Sequence, residues 1–130
     1  MKVLLVAAVV AYALLGHGAH LAGSAAPVSG GSNVATGQRL AAAYGWGSGA
    51  EWTCLDELWT RESGWRMVWN TAGSGAYGIP QALPASKMAS AGADYMTNPA
   101  TQIRWGLSYI AGRYGTPCGA WAHETSSNWY

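Results

Sequence analysis

Cys54 and Cys118 are the only two cysteines in a chain of 130 residues. How they are used limits what the chain can become. The first residues bear on that question. Lys2 precedes an apolar run from Val3 to Leu15, and a small-residue stretch, Gly23-Ser24-Ala25-Ala26-Pro27, follows. This is the pattern of a secretory signal peptide, with a cut after Ala25 (residues 1–25 as leader). The run is shorter than the roughly 20 residues that span a bilayer. A retained anchor is the alternative. His17 and His20 fall in the leader and are discounted as ligands. In an exported chain two lone cysteines most simply pair with each other. A Cys54–Cys118 bridge would close a long loop and staple a domain too small to bury a large core. A reactive free thiol is less in keeping, because neither cysteine has a histidine or a basic residue beside it.

The remaining composition excludes several classes. Charged residues make up 10% and the net charge is +1, which leaves no basic footprint for nucleic acid. No phosphate-binding Gly-Lys loop and no Cys-x-x-Cys pair occurs, and no metal site or cofactor is expected. Trp (8) and Tyr (7) are abundant while Phe is absent. Both join an apolar face to a polar handle, which suits a surface that grips a partly hydroxylated ligand.

Along the chain, Pro27 to Gly37 is rich in Pro, Gly and Ser and reads as a linker. Gln38–Tyr44 reads as a short helix stopped by Gly45. Residues 26–47 thus form a linker and a short N-terminal helix, and 48–130 the main domain. Ser48 and Glu51 form a capping-box pattern that opens a helix from Gly49 to Ser63, stopped by Gly64. Arg66 to Pro80 is a glycine-bearing loop or short hairpin. Pro84 starts a further helix through Lys87 to about Ser90, with Gly92 beyond it. Asn98-Pro99 caps another helix, in which Ile103, Leu107 and Ile110 recur at helical spacing until Gly112. Trp121 to Tyr130 reads as one helical turn and a tail. The expected fold class is mainly α with a minimal hairpin, in one small domain.

The helix Gly49–Ser63 carries the most informative residue. Trp52, Leu55, Leu58 and Trp59 share one face, and Glu62 falls on the same face at the C-terminal turn. Apolar surroundings and the negative end of the helix dipole both disfavour an ionised carboxyl there. Such a Glu swings out to water, pairs with Arg61 or Arg66, or serves as a general acid. Ordinary two-carboxylate glycoside chemistry needs a partner across the bond. Asp94 reads as a turn or capping residue and Glu124 as a solvated residue near the tail, so nothing forces a second catalytic carboxylate.

Glu62-Ser63-Gly64, followed by Gly75-Ala76-Tyr77-Gly78-Ile79-Pro80-Gln81, then Asn98 and Gly106-Leu107-Ser108-Tyr109-Ile110, resembles the motif series of the soluble lytic transglycosylase family. The endings Ala120-Trp121-Ala122-His123 and Trp129-Tyr130 resemble its compact secreted forms. The resemblance implies a lysozyme-like fold over 48–130. It also implies peptidoglycan glycan strands as partner, a monomer with no nucleic acid and no membrane, and a secreted or wall-associated location. Glu62 would then protonate the bond between N-acetylmuramic acid and N-acetylglucosamine and leave 1,6-anhydromuramoyl ends. That chemistry takes its nucleophile from the substrate and needs one carboxylate.

By the same resemblance Ser63 positions the carboxyl, Gln81 hydrogen-bonds substrate, and Gly75, Ala76, Gly78 and Ile79 line the cleft. Tyr77 is a stacking wall, and Tyr109 is either core or substrate contact. Two departures stand out. Arg66–Gly73 lacks the Asn/Pro-Ala pattern usual before the loop and carries Trp69, and the late Tyr-Asn pair is absent, with Trp121 near its place. No tyrosine contact to the acid is therefore named. Among the aromatics, Trp52 and Trp59 are expected in the core, Trp105 in the core or on the helix surface, and Trp65, Trp69 and Tyr77 at the cleft. His123 reads as a structural or surface residue. A hydrolytic muramidase and a non-catalytic wall-binding module remain the alternatives.

Overall fold

A computed structural model describes residues 30–130; the expected leader, 1–25, and residues 26–29 lie outside the described residues. Four α-helices dominate: α1 Gly30–Ala41, α2 Gly49–Ser63, α3 Pro99–Tyr114 and α4 Pro117–Ser127. Two 3-10 segments, Ala42–Tyr44 and Ala85–Ala91, join them. The protein is mainly helical with one disulfide, Cys54–Cys118.

The first departure from expectation is α1. Gly30–Gly37, read as linker, is helical, and the expected helix at Gln38 is its second half. Tertiary packing overrides composition here. Asn33 is buried and donates its Nδ2 to the Trp65 carbonyl (2.8 Å). Gly37 lies under the Trp65 ring, where any Cβ would collide with it. The glycine that reads as linker is thus a close-approach residue.

α2 has the expected ends. Gly64 takes a left-handed φ of 63° and donates its N–H to the Thr60 carbonyl. The capping box does not form, because the Ser48 side chain makes no cap bond. The Glu51 Oε2 instead accepts from the Cys118 backbone N–H at 2.8 Å, where α4 begins. A carboxylate at that helix N-terminus is electrostatically favoured.

α3 starts as expected, with the Asn98 side chain accepting from the Ala100 N–H. It runs past Gly112 to Tyr114, because the apolar stripe Ile103, Leu107, Ile110 continues into Tyr114, which packs on the same core. α4 replaces the single turn expected near Trp121. The Thr116 side chain accepts from Gly119 N–H and Pro117 occupies the first turn. The segment after Pro84 is a 3-10 run rather than an α-helix, closed at Gly92. The expected hairpin reduces, among the described residues, to the bridges Trp69–Tyr77 and Tyr77–Ala82.

The core gathers Leu55, Leu58 and Trp59 from α2 with Ile103, Leu107 and Ile110 from α3, and Ala120 from α4. α2 packs against α4. At one end the Cys54 and Cys118 Cα atoms are 5.0 Å apart. At the other, Arg61 Nε lies 3.3 Å from Glu124 Oε1. The steps from Cys54 to Arg61 and from Cys118 to Glu124 cover about 10 Å each at helical rise, so the two helices run parallel. Among the described residues no helix is long and apolar enough to cross a membrane.

The disulfide spans 64 residues of sequence. A loop of that length gives about 4 kcal/mol of stabilisation by chain entropy. We expect the doubly substituted Cys54→Ala, Cys118→Ala protein to unfold at a much lower urea concentration by circular dichroism. An unchanged midpoint would show that the staple contributes nothing.

Candidate functional site

Glu62 ends the buried face of α2 and opens onto a groove. Three adjoining cavities make up this groove. The largest, about 440 Å³, is lined by Glu62, Ser74, Ala76, Gln81, Trp129 and Tyr130, among others. A second of about 250 Å³ shares Glu62 and Gln81 and adds Arg66, Val68 and Trp69. A third, smaller one carries on from Gln81 and Tyr130 to Lys87, Trp105 and Tyr109. Glu62 therefore lines the two larger cavities, and Gln81 is shared by all three.

The electrostatics of Glu62 differ from those of a surface carboxyl. Burial is the largest cause of a pKa pushed up to about 8. A hydrogen bond to Glu124 and the Glu124 charge add to it, and Arg61 offsets part of the rise. Glu62 thus holds its proton at neutral pH and faces open space, which is the state a proton donor requires.

Glu124 corrects the sequence reading. Expected in solvent, it is only 3% exposed. Its Oε1 pairs with Arg61, and its Oε2 is a buried oxygen with no hydrogen-bond partner among the described residues. A signal for it existed. Pro117, Ala120 and Glu124 fall at i, i+3, i+7 and are the buried residues of α4. Reading Thr116-Pro117 as a helix start would have put Glu124 on the inner face.

Tyr130 also stands at the site. Its hydroxyl donates to the Pro80 carbonyl (2.7 Å) and accepts from Trp59 Nε1 (2.9 Å). Burial, and next the Glu62 charge, push that phenol well above its ordinary range. A tyrosine therefore does stand beside the acid, and it comes from the Trp129-Tyr130 tail. His123 holds this tail: its Nδ1 meets the Trp129 carbonyl at 2.6 Å, and Trp129 packs edge-on against its ring.

The loop residues separate into two groups. Ala76 and Gln81 line the groove. Gln81 donates its Nε2 to the carbonyls of Val68 and Gly78, which leaves Oε1 without a partner among the described residues. Gly78 and Ile79 are buried behind the groove rather than at its wall. Ile79 N–H donates to Gln102 Oε1 (3.0 Å), and a Cβ on Gly78 (φ 87°) would stand 2.6 Å from the same oxygen. The close approach at Gly78 is thus to Gln102 and not to a ligand. Gln102, fully buried and unmarked in the sequence, clamps the loop from α3 and donates its Nε2 to the Tyr95 carbonyl. Gly75 is exposed, with φ 86° at the turn, and does not line the cavities.

Ser63 does not meet the Glu62 carboxyl. Its buried hydroxyl donates to the Ile79 carbonyl at 2.8 Å, which ties the end of α2 to the loop. Tyr77 is 7% exposed and sends its hydroxyl to the Met96 carbonyl, so its ring supports Trp69 instead of forming a wall itself. Trp69 is 54% exposed at the groove. Trp65, expected at the cleft, is core: it packs edge-on against Trp59 and donates Nε1 to Asp56. Tyr109 stacks on Trp105 and meets Tyr130 edge-on, on the groove wall. Asp94 accepts from Asn98 and Thr101 and acts as a turn residue, as read.

Among the described residues no group of three His, Cys, Asp or Glu side chains is arranged to hold a metal ion. The chain matches no family model, no curated protein and no solved structure.

The raised Glu62 pKa has a consequence for stability. Between about 4.5 and about 8 the folded state holds a proton that the unfolded state has lost. Stability from this group is therefore complete below about 4.5 and falls as pH rises through about 8. We expect the urea midpoint of the wild type to decline across that window and Glu62→Gln to remove the decline. A wild-type slope identical to that of the variant would contradict the assignment.

Proposed function

We propose that this chain is an exported, monomeric peptidoglycan lytic transglycosylase with a lysozyme-like fold. The reading is carried by a carboxyl that burial pushes up to about 8 and that lines two open cavities. The motif series from Glu62-Ser63-Gly64 to Trp129-Tyr130 supports the substrate, and the disulfide suits an oxidising, extracytoplasmic location.

The chemistry follows from one acid. Glu62 gives its proton to the glycosidic oxygen as the bond from the muramoyl C1 to that oxygen breaks. Positive charge develops on the sugar ring. The ionised Glu62 then takes the proton of the same sugar's 6-hydroxyl while that oxygen bonds to C1. The 1,6-anhydro ring closes, and Glu62 is protonated again. No water is consumed, and the scheme calls on no metal or cofactor. Glu124 does not act as an opposing carboxylate in this scheme. A retaining pair flanks the bond at about 5 Å and an inverting pair is wider. Glu124 is 3% exposed, lines none of the three cavities, and acts on Glu62 by raising its pKa.

Substrate contact in this reading comes from Ala76, Gln81 and Tyr109, with the exposed faces of Trp69 and Trp129 at the rim. Gly75, Tyr77, Gly78 and Ile79 shape the loop, and Ser63 anchors it.

Digestion of purified peptidoglycan followed by mass spectrometry tests the reaction. We expect products lighter by one water than hydrolysed ones, and a loss of about 10²–10⁴ in rate for Glu62→Gln. Hydrated ends alone would make the chain a hydrolytic muramidase. Equal wall clearing by wild type and variant would remove Glu62 from the chemistry, and a wild type that binds wall without cleaving it would make the chain a binding module.

The two tryptophans in the loop region should behave differently. Trp69→Ala is expected to raise KM about fivefold, near 1 kcal/mol of stacking, with the fold intact. Trp65→Ala is expected to cost about 3–5 kcal/mol of stability. A Trp69→Ala protein with unchanged KM would take that ring out of the binding surface.

A further inference from the structure

Glu124 is the group for which the reaction scheme above has no use. It is an acidic side chain 3% exposed, on the inner face of α4, and the folded chain retains it there. One oxygen is held by Arg61 at 3.3 Å. The other is buried without a hydrogen-bond donor of its own. A buried acceptor with no donor is costly, and the group beside it that can carry a proton is Glu62.

We propose that Glu124 is a positioning residue for the acid: fixed as a carboxylate by Arg61, it accepts the Glu62 proton in a carboxyl–carboxylate hydrogen bond and so holds Glu62 protonated and oriented toward the groove. The consequence for catalysis rests on the transglycosylase reading. The charge placement does not.

The geometry says which member of the pair carries the proton. Arg61 is itself held on three sides. It pairs with Glu124, donates from Nη2 to Asn128 Oδ1 at 2.7 Å, and lies 5.9 Å from the centre of the Trp121 ring. All three partners belong to α4 or its left-handed cap at Asn128. The guanidinium is thereby anchored on the Glu124 side of the pair. Two carboxyls in contact cannot both ionise at modest cost, so the one without the cation keeps the proton. That one is Glu62, the member that faces the groove. The other charged and titratable groups around it are Arg66 in the loop, Tyr130 in the tail and, behind Tyr130, Tyr109 on α3.

This arrangement serves both halves of the reaction. Before bond cleavage it keeps the donor loaded. After cleavage Glu62 is an anion beside an anion, which strengthens it as the base that must recover a proton from the 6-hydroxyl. The half-exposed salt bridge then does not act mainly as glue between α2 and α4. It fixes the charge of the silent partner.

The test measures Glu62 by carbon-13 NMR titration of the carboxyls in the free protein, and the pH profile of peptidoglycan cleavage beside it. Wild type should show Glu62 titrating near 8 and activity falling as pH rises through the same value. In Glu124→Gln the carboxylate is replaced by an amide that can donate to Glu62, and the Glu62 midpoint and the alkaline limb should both fall by at least about one unit. Rate at acid pH should approach that of wild type. Glu124→Asp, which restores a carboxylate, should bring the limb part of the way back. Arg61→Gln removes the cation that makes Glu124 the ionised member, so the proton should be shared and both carboxyl carbons should report both ionisation steps. This second variant changes a side chain that is 42% exposed and serves if Glu124→Gln fails to fold.

A uniform drop in rate with the midpoint unmoved in Glu124→Gln would overturn the proposal and leave Glu124 a structural residue. So would an Arg61→Gln protein in which each carboxyl carbon still reports its own separate step, as in wild type. If the midpoints move as expected but wild type yields no anhydro ends, the paired proton stands and the transglycosylase reading falls.

Discussion

The parallel pairing of α2 with α4 is the arrangement on which the rest depends. It is fastened at one end by the Cys54–Cys118 bridge and the Glu51 contact to the start of α4, and at the other by Arg61 and Glu124. A covalent tie near the helix starts fixes the rotation and rise of one helix on the other. With seven residues from Cys54 to Arg61 and six from Cys118 to Glu124, the carboxyl-bearing C-terminal turns arrive side by side. Two helix C-termini and two carboxyls then share one region, each disfavouring negative charge on the other. A single proton and a single guanidinium resolve the conflict. The unusual state of Glu62 is thus a property of an interface between helices, not of Glu62 alone.

The loop between α2 and α3 is held with equal economy. Ser63 takes the Ile79 carbonyl from one side and Gln102 takes the Ile79 N–H from the other. Two buried side chains on two different helices satisfy both backbone groups of one residue, which leaves none of its polar groups unmet. Gln81, two residues on, thereby lines the groove with its donors spent on backbone and its acceptor buried without a partner among the described residues. Residues of the glycine-bearing motif that look like ligand contacts are in large part the means of aiming Gln81 and Ala76.

The aromatic excess divides along the same line. Trp59 and Trp65 pack edge-on in the core, and Trp59 also donates to Tyr130 beside the acid. Trp69 and Trp129 keep about half of their surface exposed at the rim. One residue type supplies low-dielectric surroundings inside and flat apolar faces outside. The absence of Phe fits a chain in which buried rings such as Trp59, Trp65 and Tyr77 also use their polar handle.

The sequence by itself determined the local and periodic features. Helix α2 was legible from Gly64 and its apolar face, α3 from Asn98-Pro99, and the position of Glu62 at the end of a buried stripe from spacing alone. The cysteine pairing was legible because each of the two lone cysteines has only the other as a partner. Only the tertiary structure decided that Gly30–Gly37 is helix, since the glycine needed there answers to the Trp65 ring, far away in sequence. It decided too that Glu51 caps α4 rather than its own helix, that Trp65 is core, and that Glu124 and Tyr130 stand at Glu62. Each of these is a contact across many residues between side chains whose local sequence carries no period or cap to announce it. Burial of a charged group in particular depends on what the opposite surface supplies, and for Glu124 that supply is Arg61 and the Glu62 proton.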